Sequence, residues 1–264
     1  MAEASGDKRA VDAILLAAGK GTRMGSDLPK VLHEVAGRPM IQWVVEACQR
    51  AGVDRVIVVV GYEAERVKAS LAGFERVHFV EQTEQLGTGH ATQMAAGLFD
   101  PSEPLDVFVL AGDGPLIRAE TLERLLSVHR EVGASASLAT AVIEDPTGYG
   151  RIERDGEGAF VGIVEQKDAS EAQLAIKEVN PSYYGFRSDR LFEGLGRVRN
   201  DNKQGEYYLT DVPGLLKAGG ETVAVVDAVP AEDVLSINTL EQLAEVDRIL
   251  KARVGGTAAG GSGV

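Results

Sequence analysis

The chain has 264 residues, with 27 Lys and Arg against 40 Asp and Glu and a net charge of −13. That length holds one large or two small domains, and 44% hydrophobic content supplies a core. The acidic balance argues against a nucleic-acid or anionic-membrane surface, the lone Cys48 excludes an internal disulfide and a multi-cysteine zinc site, and no apolar run reaches the ~18 residues of a membrane span. The opening "MAEASGDKR" lacks the apolar region of a signal peptide, so a reducing, cytoplasmic home is expected.

The first strand is predicted at Val11–Leu16, followed by "AAGKGTRMGSDLPK". Ala17, Ala18, Gly19 and Gly21 remove side-chain bulk, so backbone N–H groups can approach phosphate oxygens, and Arg23 and Lys30 supply neutralising charge. The stretch matches neither G-x-x-x-x-G-K-[ST] nor G-x-G-x-x-G, and a basic strand-to-helix turn is the alternative. A helix over Pro39–Ala51 puts the proline in its first turn. It carries Cys48 on an apolar pattern, as a buried residue rather than a nucleophile. A strand at Arg55–Val60, a helix at Ala64–Leu71 and a strand at Val77–Val80 follow. Next, "EQTEQLGTGHA" sets Gln82, Gln85, Gly87 and Thr88 before a helix over Gly89–Phe99. Those groups suit a nucleobase edge; a helix start capped by Thr88 fits equally.

The strand Asp106–Leu110 ends in "AGDGPL". Asp113 at that edge is placed to bind Mg²⁺, which takes oxygen ligands and is shared with substrate phosphates. The alternative is a turn aspartate capping the helix at Ala119–Val132. "ASASLATAVI", "GYGRIERDG", "AFVGIVEQ" and "KEVNPSYYGFR" then read as extended segments, some antiparallel. Asn180 and Pro181 interrupt the last of them, and "NKQGEYYLTD" gathers polar groups around Gly205. A helix near "DVPGLLKAG", a strand at "TVAVVDA" and a helix within "NTLEQLAEVDRILKARV" complete a domain over 9–254, with 255–264 as a flexible tail. Alternating strands and helices predict a Rossmann-like three-layer α/β fold on a mixed, mostly parallel sheet, with a β-rich portion across its carboxyl edge. Ligands of such folds sit at the carboxyl ends of the strands. The histidines at 33, 78, 90 and 129 lack metal-ligand spacing, and no serine elbow is present.

"LAAGKGTRMGSDLPKVLH", "EQLGTGHA", "AGDGPL", "TGYGRI", "GIVEQKDA", "EVN", "QGEYYLTD" and "EDVLSIN" occur in this order along almost the whole chain. Together they resemble the sugar-nucleotidyltransferases, and more narrowly the uridylyltransferase domain of bacterial N-acetylglucosamine-1-phosphate uridylyltransferases. The resemblance implies a magnesium-dependent nucleotidyltransferase taking UTP and a sugar 1-phosphate, a step toward cell-wall precursors. It puts Leu16, Ala17, Ala18, Gly19, Ala111 and Gly112 along the nucleotide, with Arg23 and Lys30 on its phosphates as the catalytic cations. Gln82, Gly87 and Thr88 would read the uracil, and Asp113 with Asn238 would hold Mg²⁺. Gly150, Glu165, Asn180 and Tyr207 would meet the amino sugar. The family's hexapeptide-repeat acyltransferase half has no counterpart in these residues, so acetyl transfer is not expected of them. Pro181-Ser182 and Gly114 depart from the family pattern beside the sugar and leave other sugars open. A thymidylyl- or other uridylyltransferase, and a non-catalytic nucleotide-sugar sensor, are the competing readings.

Overall fold

The computed structural model describes residues 9–21, 24–235 and 237–259. In chain order, β1 (Val11–Ala17) leads to a hairpin of β2 (Glu34–Val35) and β3 (Arg38–Pro39), then α1 (Met40–Arg50) and β4 (Arg55–Val60). Next come α2 (Ala64–Ser70), β5 (Val77–Glu81), α3 (Thr88–Gln93), β6 (Asp106–Ala111) and α4 (Ala119–Glu131). The second half holds β7 (Ala136–Val142), β8 (Gly150–Arg154), β9 (Phe160–Val164), α5 (Glu171–Leu174) and β10 (Glu178–Arg187). It ends with α6 (Ser188–Leu195), α7 (Asp211–Ala218), β11 (Val223–Asp227) and α8 (Leu240–Ala259).

The main sheet runs β11-β7-β10-β6-β1-β4-β5, with β8 paired to both β10 and β9. Contacts among β6, β1, β4 and β5 are parallel, as is β11 on β7, whereas β10 is antiparallel to both neighbours. Strands of such a sheet are covered on both faces. In β1, Ala13, Leu15 and Ala17 face a core built with α1, α2 and α4. Ile14 faces the opposite core, shared with α3, α6 and α7. The period of two along β1 thus divides one strand between two layers of helix. A third, smaller cluster seats Val246 and Leu250 of α8 on Met24, Val35, Met40 and Leu116. Because β4 and β6 flank β1 on opposite sides, the chain reverses its winding there, and a crevice opens at the carboxyl ends of β1 and β6. No described helix is long and apolar enough to cross a membrane.

Three expectations shift. Pro39 does not enter the first turn of α1; it sits at the cap with ψ 137° and pairs with Glu34 in the hairpin. Its fixed φ suits both roles, and the β2–β3 pairing decides between them. The helix predicted over Gly89–Phe99 is α3 followed by a separate 3₁₀ turn at Ala96–Leu98. Thr92 Oγ1 donates back to the Thr88 carbonyl at 2.9 Å, and Gly97 adds backbone freedom, so the α-helical ladder does not persist. The last helix runs past Val254 to Ala259, so the tail expected from 255 begins as helix. Glycine weakens a helix by about 1 kcal/mol without ending it, and alanines follow.

Candidate active site

A cavity of about 390 Å³ opens at the carboxyl ends of β1 and β6. Of the residues marked by the sequence, Leu16, Ala17, Ala18, Gly19, Lys30, Gln82, Gly87, Thr88, Ala111, Asp113 and Glu165 line it. Gly112, Gly150, Asn180, Tyr207 and Asn238 do not line it. Arg23 lies outside the described residues.

At the basic end, Lys30 leads the 3₁₀ turn Lys30–Leu32, whose Val31 and Leu32 are buried. Its ammonium forms a short ion pair with Asp113 Oδ2 and donates to Asn238 Oδ1 at 2.8 Å. Asp113 therefore does not cap α4, whose cap position is Arg118 with no side-chain cap bond. Gly21 has φ +70°, and a Cβ there would lie 2.5 Å from Lys30 Cβ, so the loop closes over the lysine only because the residue is glycine. Gly112 plays a packing role: its N–H donates to Leu16 O at 3.0 Å, and a Cβ would meet the same oxygen at 3.0 Å. Asp113 and Asn238 thus turn two oxygens toward the Lys30 ammonium. Among the described residues no group of three or more His, Cys, Asp or Glu could hold a metal. A carboxylate and an amide oxygen are donors of the kind Mg²⁺ takes from proteins.

The amide-lined end is held by backbone. Gln82, 3% exposed, donates from Nε2 to the Gly87 carbonyl at 3.2 Å and lies 3.0 Å from His90 Nδ1. Gln85 Nε2 donates to the Gln82 carbonyl at 3.3 Å and also lines the cavity. Gly87, at φ +107°, occupies the cap of α3, so Thr88 is not the cap. Thr88 Oγ1 instead accepts the Leu209 N–H at 3.0 Å. A Cβ on Gly87 would lie 2.6 Å from the Tyr207 carbonyl. That carbonyl accepts Gly89 N–H at 2.7 Å, and Tyr207 N–H donates to Leu86 O at 2.8 Å. Tyr207 therefore works through its backbone, pinning the Gln85–Thr88 loop.

The acidic end contains Glu165, whose carboxylate accepts from Thr210 Oγ1 at 2.9 Å. Burial pushes Glu165 above the usual carboxylate range, and the charges of Asp211 and Asp168 add to it. Burial, with Asp168 and Asp201 nearby, raises neighbouring Asp211 to about 6. Asn180 is 4% exposed, and its amide is spent inside the protein, on Tyr184 Oη at 2.5 Å and on the Ser182 N–H at 3.1 Å. Gly150 lies behind it, where a Cβ would crowd Ile163 Cγ2 at 3.0 Å. The wall at this end is completed by Ser182, Tyr184, Glu206 and Thr210. The sequence marked Ser182 only as a departure beside the sugar and did not mark Tyr184. Ser182 lies within, and Tyr184 just after, a shift of register between Val179 and Tyr183 that a strand's period of two does not encode. Cys48 is fully buried in α1 with its thiol pushed up to about 12, so it is no nucleophile.

Comparison with known proteins agrees with this architecture. The "Bifunctional protein GlmU" of Brevibacillus brevis is 46% identical over 244 residues, covering 92% of this chain and 52% of that protein. Its counterpart in Pelotomaculum thermopropionicum is 48% identical over 242 residues, with the same coverage of 92% and 52%. The chain thus spans about half the length of the curated relatives it matches. A solved UDP-glucose pyrophosphorylase in complex with UDP-glucose superposes with a TM-score of 0.73 at 18% identity, over 92% of this chain and 99% of that one, which shows the shared fold. Residues 13–207 match the family described as "MobA-like NTP transferase domain", and the chain belongs to that family.

Proposed function

We propose that residues 9–254 form a uridylyltransferase domain that transfers UMP from UTP to a sugar 1-phosphate, N-acetylglucosamine 1-phosphate first among them. The products are a UDP-sugar and pyrophosphate. The observation that carries this reading is the meeting of Lys30, Asp113 and Asn238 at one end of a cavity whose other walls hold the Gln82 loop and the Glu165–Thr210 pair. The ordered motifs shared with N-acetylglucosamine-1-phosphate uridylyltransferases and the relatives named above support it.

A phosphate monoester is already anionic at pH 7, so its oxygen needs no general base. In the proposed step that oxygen forms a bond to the α-phosphorus of UTP. The bond from that phosphorus to the bridging oxygen breaks in line, and pyrophosphate leaves with the electron pair. Catalysis is then positioning and charge neutralisation. Leu16, Ala17, Ala18, Gly19, Ala111 and Gly112 would flank the nucleotide, Gln82, Gly87 and Thr88 its base, and Arg23 and Lys30 its phosphates. Asp113 and Asn238 would hold Mg²⁺, which when bound supplies further charge to draw two anions together. Glu165 would face the sugar, with Gly150 and Asn180 shaping that end, and Tyr207 would act there only through the Gln85–Thr88 loop that its backbone holds. A cytoplasmic location, where UTP is made and held, belongs to the same proposal.

The test is pyrophosphate release with Mg²⁺ across the four nucleoside triphosphates and several sugar 1-phosphates. Selective turnover of UTP with N-acetylglucosamine 1-phosphate is expected. Turnover of UTP with a different sugar moves the reading to another uridylyltransferase. Binding of UTP or a UDP-sugar without turnover of any pair overturns the enzyme reading in favour of a sensor.

A further inference from the structure

Among the described residues only Ala36, Glu63, Arg76 and Ser182 combine a side chain with positive φ. Ala36 lies in the β2–β3 turn, Glu63 caps α2 and Arg76 precedes β5, all outside the cavity wall. Ser182, at φ +64°, lies within β10 and lines the cavity. Glycine adopts that conformation freely, whereas serine is strained in it. Strain of this kind persists where the surroundings enforce it, and it gathers at sites of function.

The hydrogen-bond inventory shows what the side chain supplies. Asn180 donates to Tyr184 Oη and accepts the Ser182 N–H, so neither half of its amide is turned to the cavity. Ser182 and Tyr184 both line the cavity at this end, and Tyr184 Oη takes the Asn180 amide N–H. A serine hydroxyl both donates and accepts, and its proton rotates to suit the partner it meets. Glu165, across the same end, already takes the Thr210 hydroxyl. Ser182 thus brings a hydroxyl to the cavity wall on a left-handed residue whose backbone N–H is held by Asn180.

We propose that Ser182 is a specificity-determining residue for the sugar. With Tyr184 it presents a hydroxyl proton to an acceptor oxygen on the sugar ring or its substituent. Asn180 holds the left-handed turn that places it there. This rests on the sugar-1-phosphate uridylyltransferase reading.

The experiment compares the parent chain with Ser182→Gly and Ser182→Ala, using UTP and the 1-phosphates of N-acetylglucosamine, N-acetylgalactosamine and glucose. Both variants are expected to raise KM for the preferred sugar 1-phosphate roughly tenfold, the scale of one lost neutral hydrogen bond. The preference among the three sugars should narrow, while KM for UTP stays within about twofold. Thermal melting separates backbone from hydroxyl: the glycine variant should melt at or above the parent temperature, and the alanine variant should show no such gain. An unchanged sugar KM and unchanged preference, with only the glycine variant stabilised, overturns the proposal and leaves the strain as a packing feature. No turnover by the parent with any sugar overturns the uridylyltransferase reading and this proposal with it. A normal parent with indifferent variants sinks this proposal alone.

Discussion

Lys30 and Asp113 are each the other's nearest charge, with side chains 15% and 20% exposed. Such a pair contributes modestly to stability, because water still reaches both groups. Its larger effect is on position: the ammonium stands where Asp113 and Asn238 converge, at the edge of the sheet where ligands of this architecture bind. Removal of one preorganised charge from such a site costs about 3–4 kcal/mol of barrier, or ~100- to 1000-fold in rate. Asp113→Ala and Lys30→Ala are therefore expected to lose turnover on that scale while melting within a few degrees of the parent. Pyrophosphate release and a thermal melt on the same preparations check both halves. Near-parent turnover in both variants would remove these residues from the chemistry.

At the scale of elements, the segment that delivers Asn238 is tied down by four neighbours. Asp233, 1% exposed, accepts from Arg118 Nε at 2.5 Å and forms a short pair with Arg253 of α8. Its carbonyl accepts from Tyr183 Oη of β10 at 3.1 Å, and the Val234 carbonyl accepts from Tyr149 Oη at 3.1 Å. Asp233→Asn keeps the shape but turns an amide donor toward a guanidinium. Charged hydrogen bonds of this kind are worth about 1.5–3 kcal/mol, so a loss of about 2 kcal/mol is expected. That is roughly 4–8 °C in melting temperature for a chain of this size. An unshifted melting curve would show that the clamp adds nothing. None of this clamp was legible in the amino-acid sequence, because Arg118, Asp233 and Arg253 are joined only by tertiary packing. The parallel strands were legible, since "RVIVVV" and "DVFVLA" are apolar on both faces. The β2–β3 hairpin was not, because two-residue strands carry no period. Gln82 and Asp113 could be picked out because they follow such strands directly. Ser182 was marked only as a departure from the family pattern beside the sugar, and Tyr184 not at all, because the register shift inside β10 sets which way they face.

Across the whole molecule, one contribution to the pH dependence of stability lies far from the cavity, among the groups between α4 and the sheet. His129 is 1% exposed, its Nδ1 lies 2.8 Å from Ser137 Oγ, and its Nε2 lies 3.6 Å from Asp106 Oδ1. Burial holds its pKa down, from the ordinary 6.5 to about 4, against the pull of Asp106 and with help from Arg9, Arg130 and Arg187. The folded chain thus keeps the imidazole neutral where the unfolded chain would protonate it. Its contribution is complete above pH 6.5 and is lost as pH falls toward 4. Asp211 acts in the opposite sense, because its folded value is raised from 3.8 to about 6. Its contribution is present below pH 3.8 and is lost as pH rises through 6, so the two slopes oppose each other between about 4 and 6. The total curve therefore understates the histidine, and the informative quantity is the difference between the parent and a variant that does not titrate there. With ~1.4 kcal/mol per pH unit, the parent should lose about 2 kcal/mol more than His129→Asn between pH 7 and pH 5, read from urea unfolding at each pH. The asparagine variant will be less stable throughout, because it leaves ring volume unfilled, but a constant offset does not alter the slope. Parallel pH curves for the two proteins would mean that His129 titrates normally in the fold, and that the acid sensitivity of the chain resides in its carboxylates.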